Sequence, residues 1–296
     1  MKPLSALVLG APNTVSMGIA RGWMMAGNKI AAIWYPERLN GTTGFVQDRE
    51  LAARTPGVTM HGIAARAGVA TRAVPRLASW SDGPIEIVKL SPDVVLSVMF
   101  LDRITPAVLR AFPNRVLNLH PSLLPAYHGA APILNMLWDR TIDRHSGMTL
   151  HLVTAEFDRG EVLGQTPVAF PSDRNLTAYY MHLVKAGTAL LTGCVPRFLN
   201  GTLMPQVQSA EAAPQGSRKP RDAVLTPAQG AAEIAWLCAT IPQMVPLKIA
   251  GAPPNVRAKR FIAVLGPNTG VPPVVEGRFL HMDAQSERVQ LEVDTA

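Results

Sequence analysis

Asn118, His120 and Asp158 are three side chains whose types and spacing fit one piece of chemistry. Asn118 and His120 lie two apart in Val116-Leu-Asn-Leu-His120, an apolar run closed by Pro121. Residues two apart on a strand point to the same side, about 7 Å from each other. Pro121 has no backbone donor and ends regular pairing. The pair is therefore expected at the carboxyl end of a strand, where open α/β sheets hold ligands. Asp158 falls in Phe157-Asp-Arg-Gly160, a turn between two further strand-like runs, and that turn is expected at the same sheet edge. Together the three side chains would suit acyl transfer to an amine. Attack on the acyl carbon creates an oxyanion, and each fixed donor aimed at such an oxygen is worth about 3 kcal/mol. The Asn118 amide and a protonated His120 would be two such donors. Asp158 would raise the pKa of His120, orient its ring and relay the amine's proton. Spacing alone also fits a hydrogen-bonded structural pair, and a carboxylate that merely closes a turn.

Other chemistries find less support. His128, His145 and His151 have no metal-ligand spacing and read as surface or strand histidines, so no metal site is expected. The turn Gly10-Ala-Pro-Asn-Thr-Val-Ser-Met-Gly18 lacks GxGxxG, which argues against a nicotinamide enzyme, and no G-x-S-x-G elbow is present. Cys194 and Cys238 are the only cysteines; both read as buried free thiols in a reducing compartment.

The elements that must position the three groups follow from periodicity. Apolar runs at residues 4–9, 29–35, 94–99 and 116–120 read as strands, with a weaker one at 58–63. Helical spacing marks 16–26, 85–90 and 133–138; a further helix is expected over 45–54, and another from Thr105-Pro106, with proline in its first turn. Residues 147–153 and 162–170 read as a hairpin around Asp158, and 175–199 as a long amphipathic helix. Strands alternating with helices predict a doubly wound, Rossmann-like parallel sheet. Composition then shifts over 204–221 to Gln, Ala, Pro and Gly, a linker wrapping the first domain. A helix at 228–240 and strands at 256–265, 274–279 and 288–293 predict a small β-rich second domain. The expected division is a catalytic domain over 1–205, a linker over 206–222 and a C-terminal domain over 223–296.

The chain has 296 residues, 48% hydrophobic and 17% charged, enough for a sizeable core. Its net charge is +7 and its sequence pI about 9.8, which suits an anionic partner as well as a simply solvated basic surface. Residues 1–10 read as a first strand rather than a signal peptide, and no apolar run reaches the roughly 18 residues of a membrane span. A soluble, cytoplasmic protein is expected.

Asn118-Leu-His-Pro-Ser-Leu-Leu-Pro125, Gly129-Ala-Ala-Pro132, Thr149-Leu-His-Leu-Val-Thr154 and Phe157-Asp-Arg-Gly-Glu-Val-Leu-Gly-Gln165 together resemble the folate-dependent formyltransferase family. The match keeps good register from about Val94 to Phe170. The resemblance implies that Asn118, His120 and Asp158 are catalytic and that 10-formyltetrahydrofolate is the formyl donor. It implies that the pterin is held by the loop after the fourth strand and by the Asp158 turn. Met99, Phe100, Leu101, Arg103, Ile104, Thr154 and Phe157 are the residues expected there. The second domain resembles the small open barrel of the tRNA and sugar enzymes. Departures bear on the acceptor. Ala126 and His128 stand where the methionyl-tRNA enzyme has a basic residue and an arginine, and residues 36–44 match its basic insertion only thinly. Arg218-Lys-Pro-Arg221 and Arg257-Ala-Lys-Arg260 are the clusters that tRNA phosphates would need. The acceptor expected is therefore the primary amine of a small metabolite, such as an amino sugar or a natural-product amine. Methionyl-tRNA is the alternative, followed by formyl hydrolysis to formate and then by tRNA binding without catalysis. The sequence is silent on oligomeric state.

Overall fold

A computed structural model describes the chain apart from residues 1, 41–49, 55–57, 101, 210–212, 216–218, 220–222 and 296. Backbone contacts divide it into two units. The first comprises Met1–Gly129, His145–Phe170 and Thr177–Gln215; the second comprises Ala130–Arg144, Pro171–Leu176 and Gly216–Ala296.

The first unit is built on seven strands: β1 Ser5–Gly10, β2 Lys29–Pro36, β3 Thr71–Val74, β4 Val94–Val98, β5 Val116–His120, β6 Gly147–Leu152 and β7 Val162–Pro167. Their spatial order is β3-β2-β1-β4-β5-β6-β7. The first five run parallel, as the alternating pattern predicts, and β6 and β7 add an antiparallel edge. The order doubles back between β1 and β4, which is the crevice such sheets use for ligands. β1 and β4 are almost wholly buried, consistent with apolar strands covered on both faces. One core cluster gathers Leu7, Leu9, Trp34, Val95 and Val116, with Ile104, Val108 and Phe112 from the segment between β4 and β5.

Local chemistry explains most helix boundaries. Asn13 caps helix Thr14–Met25 by accepting from the Ser16 N–H, and Thr105 caps Pro106–Ala111 by accepting from Val108. The third strand is the main correction. Residues expected to be extended over 58–63 instead begin helix Met60–Ala67, and the strand lies later, at Thr71–Val74. Thr59 Oγ1 accepts from the Gly62 N–H at 3.1 Å, and Met60, Ile63 and Ala64 bury one helical face. A cap and an i, i+3, i+4 stripe outweigh a short apolar run. Much of the helix expected over 45–54 lies outside the described residues.

The second unit holds helix Pro132–Trp138, helix Ala231–Thr240 and six strands: β8 Val224–Leu225, β9 Lys248–Ile249, β10 Val256–Pro267, β11 Val274–Glu276, β12 Phe279–Ala284 and β13 Glu287–Thr295. β10-β13-β12-β11 form an antiparallel sheet. The single strand expected over 274–279 is two strands, because Gly277 (φ 63°) turns the chain into a hairpin. Cys238 is buried, but Cys194 is only partly so; both are free. Burial pushes the Cys238 thiol up to about 12. Among the described residues, no helix is long and apolar enough to cross a membrane.

Candidate active site

β5 lies between β4 and β6, and its register places Asn118 beside Ser97 on one side and His151 on the other. Val116, Asn118 and His120 share one face of the strand. After Pro121 the chain is pinned by side chains rather than by sheet pairing. Thr149 Oγ1 accepts from the Leu124 N–H at 3.1 Å and donates to Ser122 O at 2.6 Å. Gln165 Nε2 donates to Leu124 O at 2.7 Å. The loop then returns so that Tyr127 O accepts from His120 Nε2 at 2.9 Å. A carbonyl can only accept, so Nε2 carries the proton and Nδ1 is the bare nitrogen of the neutral ring.

Asp158 closes the site from the hairpin of β6 and β7. Its backbone is left-handed (φ 53°), a conformation that aspartate tolerates better than most residues. Oδ2 accepts from the Gly129 N–H at 2.7 Å and lies 3.5 Å from His120 Nδ1. Oδ1 accepts from Asn118 Nδ2 at 3.2 Å. The three side chains expected to converge do so, but the turn is not at the expected edge: β6 runs antiparallel to β5, Leu152 faces Leu117 and the Val153 N–H donates to Val116 O, so the turn leaves at the amino end of β5 and its chain folds back to bring Asp158 to Asn118 and His120. The turn is also held from behind: Gln208 Nε2 donates to the carbonyls of Asp158 and Gly160. Gly160 is packed so closely that a Cβ there would fall 1.8 Å from Leu152 O.

A fourth side chain belongs to the cluster. His151, which spacing alone left as an ordinary strand or surface histidine, is fully buried. Its Nδ1 donates to Leu152 O at 2.8 Å. Its Nε2 lies 3.1 Å from Asn118 Nδ2 and 3.4 Å from Asp158 Oδ1. Bare, that nitrogen accepts from the amide; protonated, it donates to the carboxylate. The signal that could have revealed it is antiparallel register, which sets His151 directly opposite Asn118.

Burial raises the Asp158 carboxyl, but the His151 contact, the neighbouring imidazoles and the Gly129 N–H together hold it well below the usual carboxylate range. It is ionised at neutral pH. For His120 the balance goes the other way. Burial lowers it below its ordinary 6.5 and outweighs the opposing pull of Asp158. The ring is therefore neutral at rest, which corrects the expectation of a protonated His120. With His151 Nε2 bare, Asn118 spends both amide hydrogens inside the cluster, on Asp158 and His151.

Next to these groups lies a cavity of about 450 Å³, within the range of small-molecule sites. Its walls include Leu109, Phe112, Val116, Val153 and Thr154. Val116 is two residues before Asn118 on the same strand face, so the cavity adjoins the cluster. Of the residues expected around a pterin, Thr154 lines this cavity, and Phe100 and Ile104 pack in the core cluster that includes Phe112 and Val116. Met99 is partly buried with φ 53°. Arg103 does not enter the cavity lining; it donates to Ala155 O at 2.5 Å and its guanidinium stacks over Phe157. Phe157 is 55% exposed and is no buried wall. Leu101 lies outside the described residues. Leu109, Phe112 and Val153 were not singled out by sequence. Among the described residues no group of three His, Cys, Asp or Glu side chains is arranged to hold a metal ion.

The formyl transferase family model matches residues 50–195, the stretch that carries Asn118, His120, His151 and Asp158. Residues 50–195, just under half of the chain, are thus similar to the formyl transferase family. Solved structures share the fold. WlaRD, a sugar 3N-formyltransferase crystallised in the presence of dTDP and 5-N-formyl-THF, matches with a TM-score of 0.65 and 16% identity over 100% of each chain. An N-formyltransferase from Helicobacter canadensis, in complex with folinic acid and dTDP-3-aminofucose, matches with a TM-score of 0.64 and 14% identity, covering 99% of this chain and 100% of that one. Glycinamide ribonucleotide transformylase 1 from Symbiobacterium toebii gives a TM-score of 0.53 and 20% identity, over 70% of this chain and 95% of that one. The two enzymes that match essentially end to end thus extend the formyltransferase likeness of fold into the second unit.

Proposed function

We propose that this chain transfers the formyl group of 10-formyltetrahydrofolate to the primary amine of a small metabolite, an amino sugar or a natural-product amine. The observation that carries the reading is the meeting of Asn118, His120 and Asp158 beside an apolar cavity. A planar pterin suits walls of Phe112, Val116 and Val153, and would bring N10 and its formyl group towards Asn118. Two enzymes that match this fold end to end were crystallised with formyl folates, which supports the same donor here.

In this reading the uncharged amine attacks the formyl carbon. A C–N bond forms, and the carbonyl π electrons move to oxygen. The Asn118 amide turns a hydrogen from the cluster towards that oxyanion. The amine's proton passes through Asp158 to the bare Nδ1 of His120, which neutral imidazole chemistry permits. The imidazolium so formed faces the Asp158 carboxylate and is stabilised by it. Collapse of the adduct breaks the bond to N10, which takes up a proton and leaves as tetrahydrofolate.

A tRNA acceptor finds less support. Of the cluster at 257–260, Lys259 pairs with Asp294 and Arg260 with Glu292, while Arg257 donates to the carbonyl of Val256. Lys259 and Arg260, paired with carboxylates across the strand, have less charge to offer phosphates, which leaves Arg257 with its carbonyl partner as the one cation of the three whose charge no described acid answers. Of the cluster at 218–221, all but Lys219 lies outside the described residues.

The test is a panel of primary amines, charged methionyl-tRNA included, incubated with 10-formyltetrahydrofolate while folate absorbance is followed. Wild-type protein is expected to formylate a small amine. Asn118→Ala and His120→Ala are each expected to lose about 10²–10³-fold in kcat while still binding the folate. Near wild-type transfer in both variants would reject the assignment.

A further inference from the structure

Arg159 follows Asp158 directly, and its guanidinium crosses to the other loop of the site. Its Nη2 donates to Nε2 of His128 at 3.0 Å. His128 in turn precedes Gly129, whose N–H holds Asp158 Oδ2 at 2.7 Å. One residue beyond each end of that bond, a cation and an imidazole therefore meet. They stand at the mouth of the site: Arg159 is exposed and His128 partly so.

Among the described residues, Arg159 is paired with no acid. Arg38, Arg72, Arg260 and Arg288 each pair with a carboxylate, whereas the partner of Arg159 is an imidazole that accepts one of five N–H groups. An imidazole fixes the direction of the guanidinium without neutralising it. A planar, oriented fork with its charge unspent is suited to bidentate recognition of phosphate or carboxylate. Its position argues for one substrate over the other. The cavity is lined on this hairpin by Leu152, Val153 and Thr154 before Asp158 and by Glu161 after it, and neither Arg159 nor His128 is among its walls. Arg103 attends the loop on that side. Arg159 and His128 instead flank the Gly129–Asp158 hydrogen bond outside the cavity lining, a place open to the second reactant.

We infer that Arg159, oriented by His128, binds an anionic group of the amine acceptor, a phosphate or a carboxylate, and so sets which amines reach the Asn118–His120–Asp158 centre. This rests on the formyl-transfer reading. The glutamate tail of the folate carries the same chemistry, so the test must separate the two sources.

Wild-type, Arg159→Gln and Arg159→Lys proteins are assayed with monoglutamyl and triglutamyl 10-formyltetrahydrofolate against glucosamine and glucosamine 6-phosphate. Inorganic pyrophosphate is titrated onto each protein by calorimetry. The expected result is a preference of wild type for the phosphorylated amine. In Arg159→Gln the KM for that amine rises at least tenfold, Arg159→Lys recovers part of it, and the KM for either folate moves less than twofold. Pyrophosphate is expected to bind wild type and to bind Arg159→Gln at least tenfold more weakly. Turnover with an unchanged acceptor KM in Arg159→Gln, or a loss confined to triglutamyl folate, overturns the inference and leaves formyl transfer standing. Absence of turnover with every amine instead overturns the formyl-transfer reading. Pyrophosphate binding that is absent from wild type, or unchanged in Arg159→Gln, then overturns the anion site as well.

Discussion

The side-chain amide of Gln208 donates to the backbone carbonyl of Asp158 at 2.8 Å, across 50 residues of chain. The same nitrogen donates to Gly160 O at 2.7 Å. The segment carrying it is tied down two residues earlier, where Gln206 and Val162 exchange backbone hydrogen bonds of 2.7 and 2.8 Å. The left-handed turn that aims Asp158 is thus closed by chain that follows the long helix Leu176–Leu199.

Gln208→Ala should therefore damage chemistry more than binding. Two part-buried carbonyls lose their donor, at a cost of about 1–3 kcal/mol. The expected kinetic result is a fall in kcat of about threefold to thirtyfold, with the folate KM changed less than twofold. Urea unfolding and steady-state kinetics on one preparation check both. A wild-type kcat would mean that the turn holds Asp158 unaided.

His120 offers a test by pH. Its native pKa is depressed, chiefly by burial, so below pH 6.5 the unfolded chain binds a proton that the native ring refuses. Stability from this group is complete above pH 6.5 and is lost as pH falls below that value, because stability rises with pH wherever the unfolded state binds more protons. Asp158 opposes the depression, so Asp158→Asn should move the His120 midpoint further down. Imidazole proton chemical shifts, followed by NMR across the acid range, report both midpoints. A wild-type midpoint above 6.5, or an upward move in Asp158→Asn, contradicts the neutral resting ring.

His151→Leu removes the group opposite Asn118. One amide hydrogen of Asn118 and the carbonyl of Leu152 each lose a partner, at about 1–3 kcal/mol where the group is buried. Asn118 is then free to rotate away from the reacting oxygen. A kcat lowered by about tenfold is expected, with the acceptor KM little changed. An unaltered kcat would leave His151 a packing residue.

Much of the architecture was readable because it rests on short-range chemistry. Asn118 and His120 share a face because a strand repeats every two residues, and Pro121 ends that strand whatever surrounds it. Thr105-Pro106 starts its helix through a local cap and a fixed φ. The same logic failed at 58–63, where the hydrogen bond from Thr59 to Gly62 decided for a helix. It also failed at Gly277, whose positive φ folds one apparent strand into two.

The amino-acid order alone sufficed for the residue types at the strand end, the alternation of strands and helices, and the hairpin that carries Asp158. Tertiary structure decided the rest of the site. His151 joined Asn118 only once β6 took its register on β5, since register is a relation between distant segments. His120 became neutral only once it was buried, since desolvation depends on every atom packed around the ring. Arg159 and His128, 31 residues apart, met only when the Gly129–Asp158 hydrogen bond drew their two loops together.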